Sequence, residues 1–91
     1  MSDPIHKFIV TPHAADQMRR RGIDETTLES VMSAHERRVL VRPGRDVLER
    51  VVEFRGRSYL VRVIVDVDRV PVEVVTVYRT SKIEKYRREM S

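Results

Sequence analysis

Between Tyr59 and Val67 the chain alternates. Tyr59, Val61, Val63, Val65 and Val67 share one side of an extended backbone, while Arg62 and Asp66 fall on the other. A period of two over this length predicts a strand with one buried face. Its flanks decide how it pairs. Arg55-Gly56-Arg57-Ser58 is a tight turn before it, and Asp68-Arg69-Val70-Pro71 is a turn after it. Further strands are predicted over Val39–Val41, Val47–Arg55 and Val72–Arg79, with Pro43-Gly44-Arg45-Asp46 turning between the first two. Connections this short join antiparallel strands, because a parallel crossover needs a dozen or more residues. The later part of the chain therefore reads as an antiparallel β-meander of about four strands.

Before Arg38 the pattern is helical. Thr11 is suited to an N-cap and Pro12 to the first helical position, where its missing N–H costs nothing. That helix runs to about Arg21, with Arg19, Arg20 and Arg21 at the negative end of its dipole and Gly22 where a left-handed residue closes it. Asp24 caps a second helix to about Ala34, with Leu28, Val31 and Met32 as its buried stripe. Ile5–Val10 reads as an edge strand or an arm, and Met1–Pro4 as a loose start. Thr80 or Ser81 caps a last helix carrying Ile83, Tyr86 and Met90 on one face. The expectation is a single α+β domain over residues 1–91, with two N-terminal helices, the meander and a C-terminal helix. The helices should cover one face of the sheet, with Val63 packed near Leu28, Val31, Met32, Ile83 and Met90.

Composition narrows the chemistry. With no cysteine, disulfides, thiolate metal sites and cysteine nucleophiles are excluded. No apolar run reaches the ~18 residues of a spanning helix and no signal peptide is evident, so the default address is the cytoplasm, away from membranes. The net charge of +4 favours an anionic partner. Arginine outnumbers lysine fifteen to three, and guanidinium meets phosphate with two parallel hydrogen bonds. Basic residues cluster at Arg19–Arg21 and between Arg79 and Arg88. Arg20, Arg21, Arg62, Lys85 and Arg88 are the candidate nucleic-acid contacts. Arg79 at the end of the last strand and Lys82 at the start of the last helix form a candidate phosphate pocket.

His13 is the histidine with neighbours of interest. Gln17 and Arg20 follow it at i+4 and i+7, giving a stripe of imidazole, amide and guanidinium. Such an imidazole can act as general acid or base, or it can merely hydrogen-bond a strand end. Tyr86 reads first as packing, with its hydroxyl able to reach the sheet surface. His6 and His35 read as surface residues. Three dispersed histidines give no metal-ligand spacing, and no cofactor is indicated.

His13-Ala14-x-x-x-Met18-x-x-Arg21-Gly22-Ile23, followed by an acidic capped helix, resembles the opening of a widespread family of small bacterial domains of unassigned function. That family is similar to the BrnT toxins and, more distantly, to the RelE/ParE toxin superfamily. The ending Val74-Val75-Thr76-Val77-Tyr78-Arg79-Thr80-x-Lys82-x-x-Lys85-Tyr86 is similar to the BrnT ending. The resemblance implies a RelE-like fold. It also implies a toxin that cleaves RNA without a metal, held by an antitoxin-like partner protein. By position, Arg79 would clamp phosphate, Lys82 would assist, and Tyr86 or His13 would move protons. The family often has arginine where this chain has Gln17. The competing class is a non-catalytic basic module that binds nucleic acid or an acidic protein.

Overall fold

The structure, a computed structural model, describes residues 3–89. The side chain of Arg88 and the whole of Met90, both singled out above, lie outside the described residues. The elements are β1 (Phe8–Val10), α1 (Pro12–Arg21), α2 (Glu25–Ala34), β2 (Arg37–Arg42), β3 (Arg45–Phe54), β4 (Arg57–Asp66), β5 (Val72–Thr80) and α3 (Ile83–Glu89). The class is α+β, as the periodicities predict.

The helix ends form as their residues dictate. Thr11 Oγ1 accepts the Ala14 N–H, and Asp24 Oδ1 accepts the Thr27 N–H. Gly22 takes φ 65, and its neighbour Ile23 returns its N–H to the Met18 carbonyl. At the β3–β4 hairpin, Arg55 and Gly56 both have positive φ, 53 and 77. This two-residue loop matches the twist of the strands it joins. It sets Phe54 opposite Arg57 and, five residues back on each strand, Glu49 opposite Arg62.

The sheet has five strands among the described residues, in the order β1-β5-β4-β3-β2. The additional strand is β1, which pairs parallel with β5, Val10 facing Val74. The segment is too short to show a period, so its role as a strand depends on a partner distant in sequence. β1 ends at Val10, where α1 takes over the exposed flank of β5. Gln17 Oε1 accepts the Val77 N–H at 3.0 Å, and Arg21 Nη1 donates to the Val77 carbonyl at 2.9 Å. Two side chains one helical turn apart thus satisfy the backbone that a longer β1 would have paired.

The core lies between the α1–α2 hairpin and one face of the sheet. Ala14, Met18, Ile23, Leu28, Val31 and Met32 pack against Leu48, Val61, Val63, Val65, Val74 and Val77. Burial of each large aliphatic side chain contributes about 1.5–3 kcal/mol. Val63 is fully buried, facing the two helices as the alternation predicts. Helix α3 departs from the expectation. Its Tyr86 packs against Arg62, which points away from Val61 and Val63, so α3 covers part of the opposite face. The α1–α2 hairpin already covers the first face, and Ile83 instead borders a hollow beside Val51.

Candidate nucleic-acid interface

On the face carrying α3, one cluster centres on Arg62. Its Nε donates to Glu49 Oε2 at 2.6 Å, across the β3–β4 pair. The Glu49 side chain is only 2% exposed, and Arg37 Nε stands 3.8 Å from its other oxygen. A buried carboxylate needs such partners. Two guanidiniums around one carboxylate leave the cluster with one net positive charge. Arg62 Nη1 also donates to the Tyr78 hydroxyl. The guanidinium stacks 4.5 Å from the Tyr86 ring centroid and 5.6 Å from that of Tyr78, within cation–π range.

Burial pushes the Tyr78 phenol above its ordinary range; the Arg62 charge opposes this rise and the Tyr86 hydroxyl adds to it. Tyr78 therefore stays a neutral phenol near pH 7, able to hold Arg62 in orientation. Lys82 and Lys85 border the adjoining hollow together with Ser58 and Ile83, extending the positive surface along α3. The Lys82 N–H is fixed by Thr80 Oγ1 at 3.0 Å. The arrangement can hold a phosphate oxygen against an oriented guanidinium with a phenol hydroxyl alongside.

The structure brings Arg62, Tyr86, Lys82 and Lys85 to this face and directs Arg79, His13 and Arg20 elsewhere. Arg79 lies on the opposite face, opposite Val61 and beneath the α1–α2 turn at Gly22. The cause is a β-bulge. Val65 pairs with Val74 but Ile64 with Thr76, so Val75 is an extra residue and the alternation of β5 changes phase there. Val77 and Arg79 consequently join Val74 on the helix side, and the expected Arg79–Lys82 pocket does not form. The stripe of His13, Gln17 and Arg20 does not form either. Gln17 turns inward to Val77, while His13 is exposed and Arg20 pairs with Asp16 at 2.9 Å. Arg19 shares that carboxylate, and Arg21 is committed to Val77 and lies 6.0 Å from the Tyr78 ring. His35, expected on the surface, is half-buried with Nδ1 3.2 Å from the Val31 carbonyl oxygen.

Two members of the Arg62 cluster, Glu49 and Tyr78, were not candidates from sequence. The signal for Glu49 was present: counting back from the Arg55-Gly56 turn places it opposite Arg62. No such count reaches Tyr78, because the bulge intervenes. Among the described residues, no group of three His, Asp or Glu side chains comes together to hold a metal ion, and no helix is long and apolar enough to cross a membrane.

A family model described as a domain of unknown function, DUF4258, matches residues 10–79. No curated protein and no solved structure matches the chain.

Proposed function

The chain belongs to the DUF4258 family, whose description assigns no activity, and we propose that it is a toxin-like endoribonuclease acting at the Arg62 face and restrained by an antitoxin-like partner protein. The observation that carries this reading is the stack of Arg62 on Tyr86, with Glu49 and Tyr78 holding the guanidinium. The similarity of the ending motif to the BrnT ending, and of the family that the opening motif resembles to the BrnT and RelE/ParE toxins, supports it.

In this reading the ribose 2′-hydroxyl attacks the adjacent phosphorus and gives its proton to water. Arg62 stabilises the charge gathering on the phosphoryl oxygens. The Tyr86 hydroxyl protonates the 5′-oxygen as its bond to phosphorus breaks, and then regains a proton from solvent. The products are a 2′,3′-cyclic phosphate and a free 5′-hydroxyl. Lys82 and Lys85 hold flanking phosphates. The proton-transfer role implied for Tyr86 or His13 rests here on Tyr86, and the clamp implied for Arg79 passes to Arg62.

A second reading, a non-catalytic binding module, draws on one observation: Glu49 already neutralises part of the Arg62 charge. Cleavage of a labelled RNA by purified protein in EDTA decides between them. Tyr86→Phe keeps the ring and deletes the hydroxyl, so a loss of about 10²- to 10⁴-fold with an unchanged melting curve is expected. RNA that is bound but left intact, with and without divalent ions, replaces the nuclease by the binding module.

A further inference from the structure

A chain of cation–π contacts lies on the face that carries α1 and α2, at the tip of the β3–β4 hairpin. The Arg79 guanidinium carbon is 4.5 Å from the Phe54 ring centroid and 4.9 Å from that of Tyr59. Arg55 is 5.3 Å from Phe54, and Arg57 is 5.8 Å from Tyr59. The contacts run Arg55–Phe54–Arg79–Tyr59–Arg57, three guanidiniums alternating with two rings. We propose that this ladder is a binding site for single-stranded nucleic acid, taking unpaired bases on the outer guanidinium planes of Arg55 and Arg57 and on the exposed part of Phe54, and phosphates on its guanidiniums.

Charge is the first argument. Of the other sheet arginines, Arg37, Arg38, Arg45 and Arg62 each pair with a carboxylate, and Arg50 donates to the Ala34 carbonyl, while Arg42 has no ion pair among the described residues. Arg55, Arg57 and Arg79 have no ion-pair partner among the described residues, although Asp24 and Glu53 border the same hollow as Arg79. Three guanidiniums are thus held by rings instead of anions, which leaves their charge available to a ligand.

Exposure is the second. Phe54 is 39% exposed, large for a phenylalanine, and Arg55 and Arg57 are exposed beside it. Backbone geometry is the third. Arg55 adopts φ 53, a left-handed conformation that favours asparagine or glycine, and this turn sets its guanidinium against Phe54.

The alternation selects the ligand. Every base has a π-face, so aromatic rings and guanidinium planes accept a strand without reading its sequence. A duplex hides those faces in its own stack. An acidic protein would satisfy the charges and leave the open stacking planes of Arg55, Arg57 and Phe54 unused. The ladder is on the other side of the sheet from Arg62 and does not depend on cleavage there.

Fluorescence anisotropy of the full chain with a labelled short oligothymidine tests this. The probe lacks a 2′-hydroxyl, so binding is read without cleavage, and a failed ladder leaves the Arg62 reading untouched. Phe54→Leu should weaken binding about 5- to 150-fold, the loss of one base–aromatic stack of ~1–3 kcal/mol. Arg55→Ala with Arg57→Ala should flatten the slope of log affinity against log salt by about 1.4, at roughly 0.7 per phosphate. Arg57→Lys keeps the charge and loses the plane, so it should weaken binding without changing that slope, and it decides the matter if Phe54→Leu melts early. An oligothymidine duplexed with its complement should bind more weakly than the single strand. Equal affinity for the duplex overturns the proposal, as does Phe54→Leu binding like the parent. Displacement of the probe by poly-glutamate at matched charge also overturns it, in favour of an acidic protein partner.

Discussion

Gln17→Leu is the most informative single substitution in this fold. The side chains are similar in size, so the buried space that Gln17 fills beside Val77 stays filled. The acceptor disappears. Val77 is fully buried, and β1 has ended before reaching it, so Gln17 Oε1 is its N–H's partner at 3.0 Å. A buried donor left unpaired costs about 1–3 kcal/mol. In a domain of this size each kcal/mol moves Tm by about 4–8 °C, so the variant should melt about 4–24 °C lower. Thermal unfolding followed by circular dichroism gives that number. Native-state hydrogen exchange locates it: the Val77 amide should exchange faster relative to Val63 and Val65 in the central strand. Gln17→Glu keeps an acceptor one helical turn from Arg21 and should retain more of the parent Tm. A Gln17→Leu variant with parental Tm and an equally protected Val77 amide would refute the account of α1 as the seal of this edge.

Val63→Ala removes two methyl groups from the centre of the core and should cost about 1–3 kcal/mol in urea unfolding; a cost near zero would mean the site collapses freely or is not buried. Acid should unfold the protein partly through Asp66 and Asp24. Hydrogen bonds from Arg45, at 2.7 and 3.1 Å, hold the Asp66 carboxyl below its ordinary value, and the Thr27 N–H does the same for Asp24. A lowered folded-state pKa gives stability that is present above the ordinary carboxylate pKa and lost as pH falls through the folded value, so the loss begins below about pH 4. The urea midpoint difference between parent and Asp66→Asn should shrink between pH 6 and pH 3; a constant difference would exclude this linkage.

Local chemistry was legible in the sequence, and phase was not. Thr11, Pro12, Gly22 and Asp24 mark helix ends through contacts within four residues, so their reading needs no tertiary knowledge. The Arg55-Gly56 loop fixes the β3–β4 register, and the Glu49–Arg62 pair follows by counting. β5 defeats counting. One extra residue at Val75 exchanges the two faces of everything after it, which carries Arg79 away from Tyr86 and Lys82. For β1 the sequence leaves an edge strand or an arm open, because three residues show no period; its pairing with β5, far along the chain, makes it the edge strand. The stripe through His13 fails because the Gln17 amide is needed by a strand edge that only the assembled sheet reveals.

The seal between α1 and β5 also orders events in time. Its hydrogen bonds join residues 60 and 56 positions apart in sequence. As the chain emerges from a ribosome, the α1–α2 hairpin is complete long before the strand that anchors it exists. Until β5 has been made, Ala14 and Met18 have only part of their sheet to pack on, and Gln17 and Arg21 have no backbone to hold. Non-local closure of this kind is slow and leaves apolar helix surface exposed meanwhile. A message truncated before Val72 therefore yields a sticky fragment, and the domain closes only once its second-to-last element is in place.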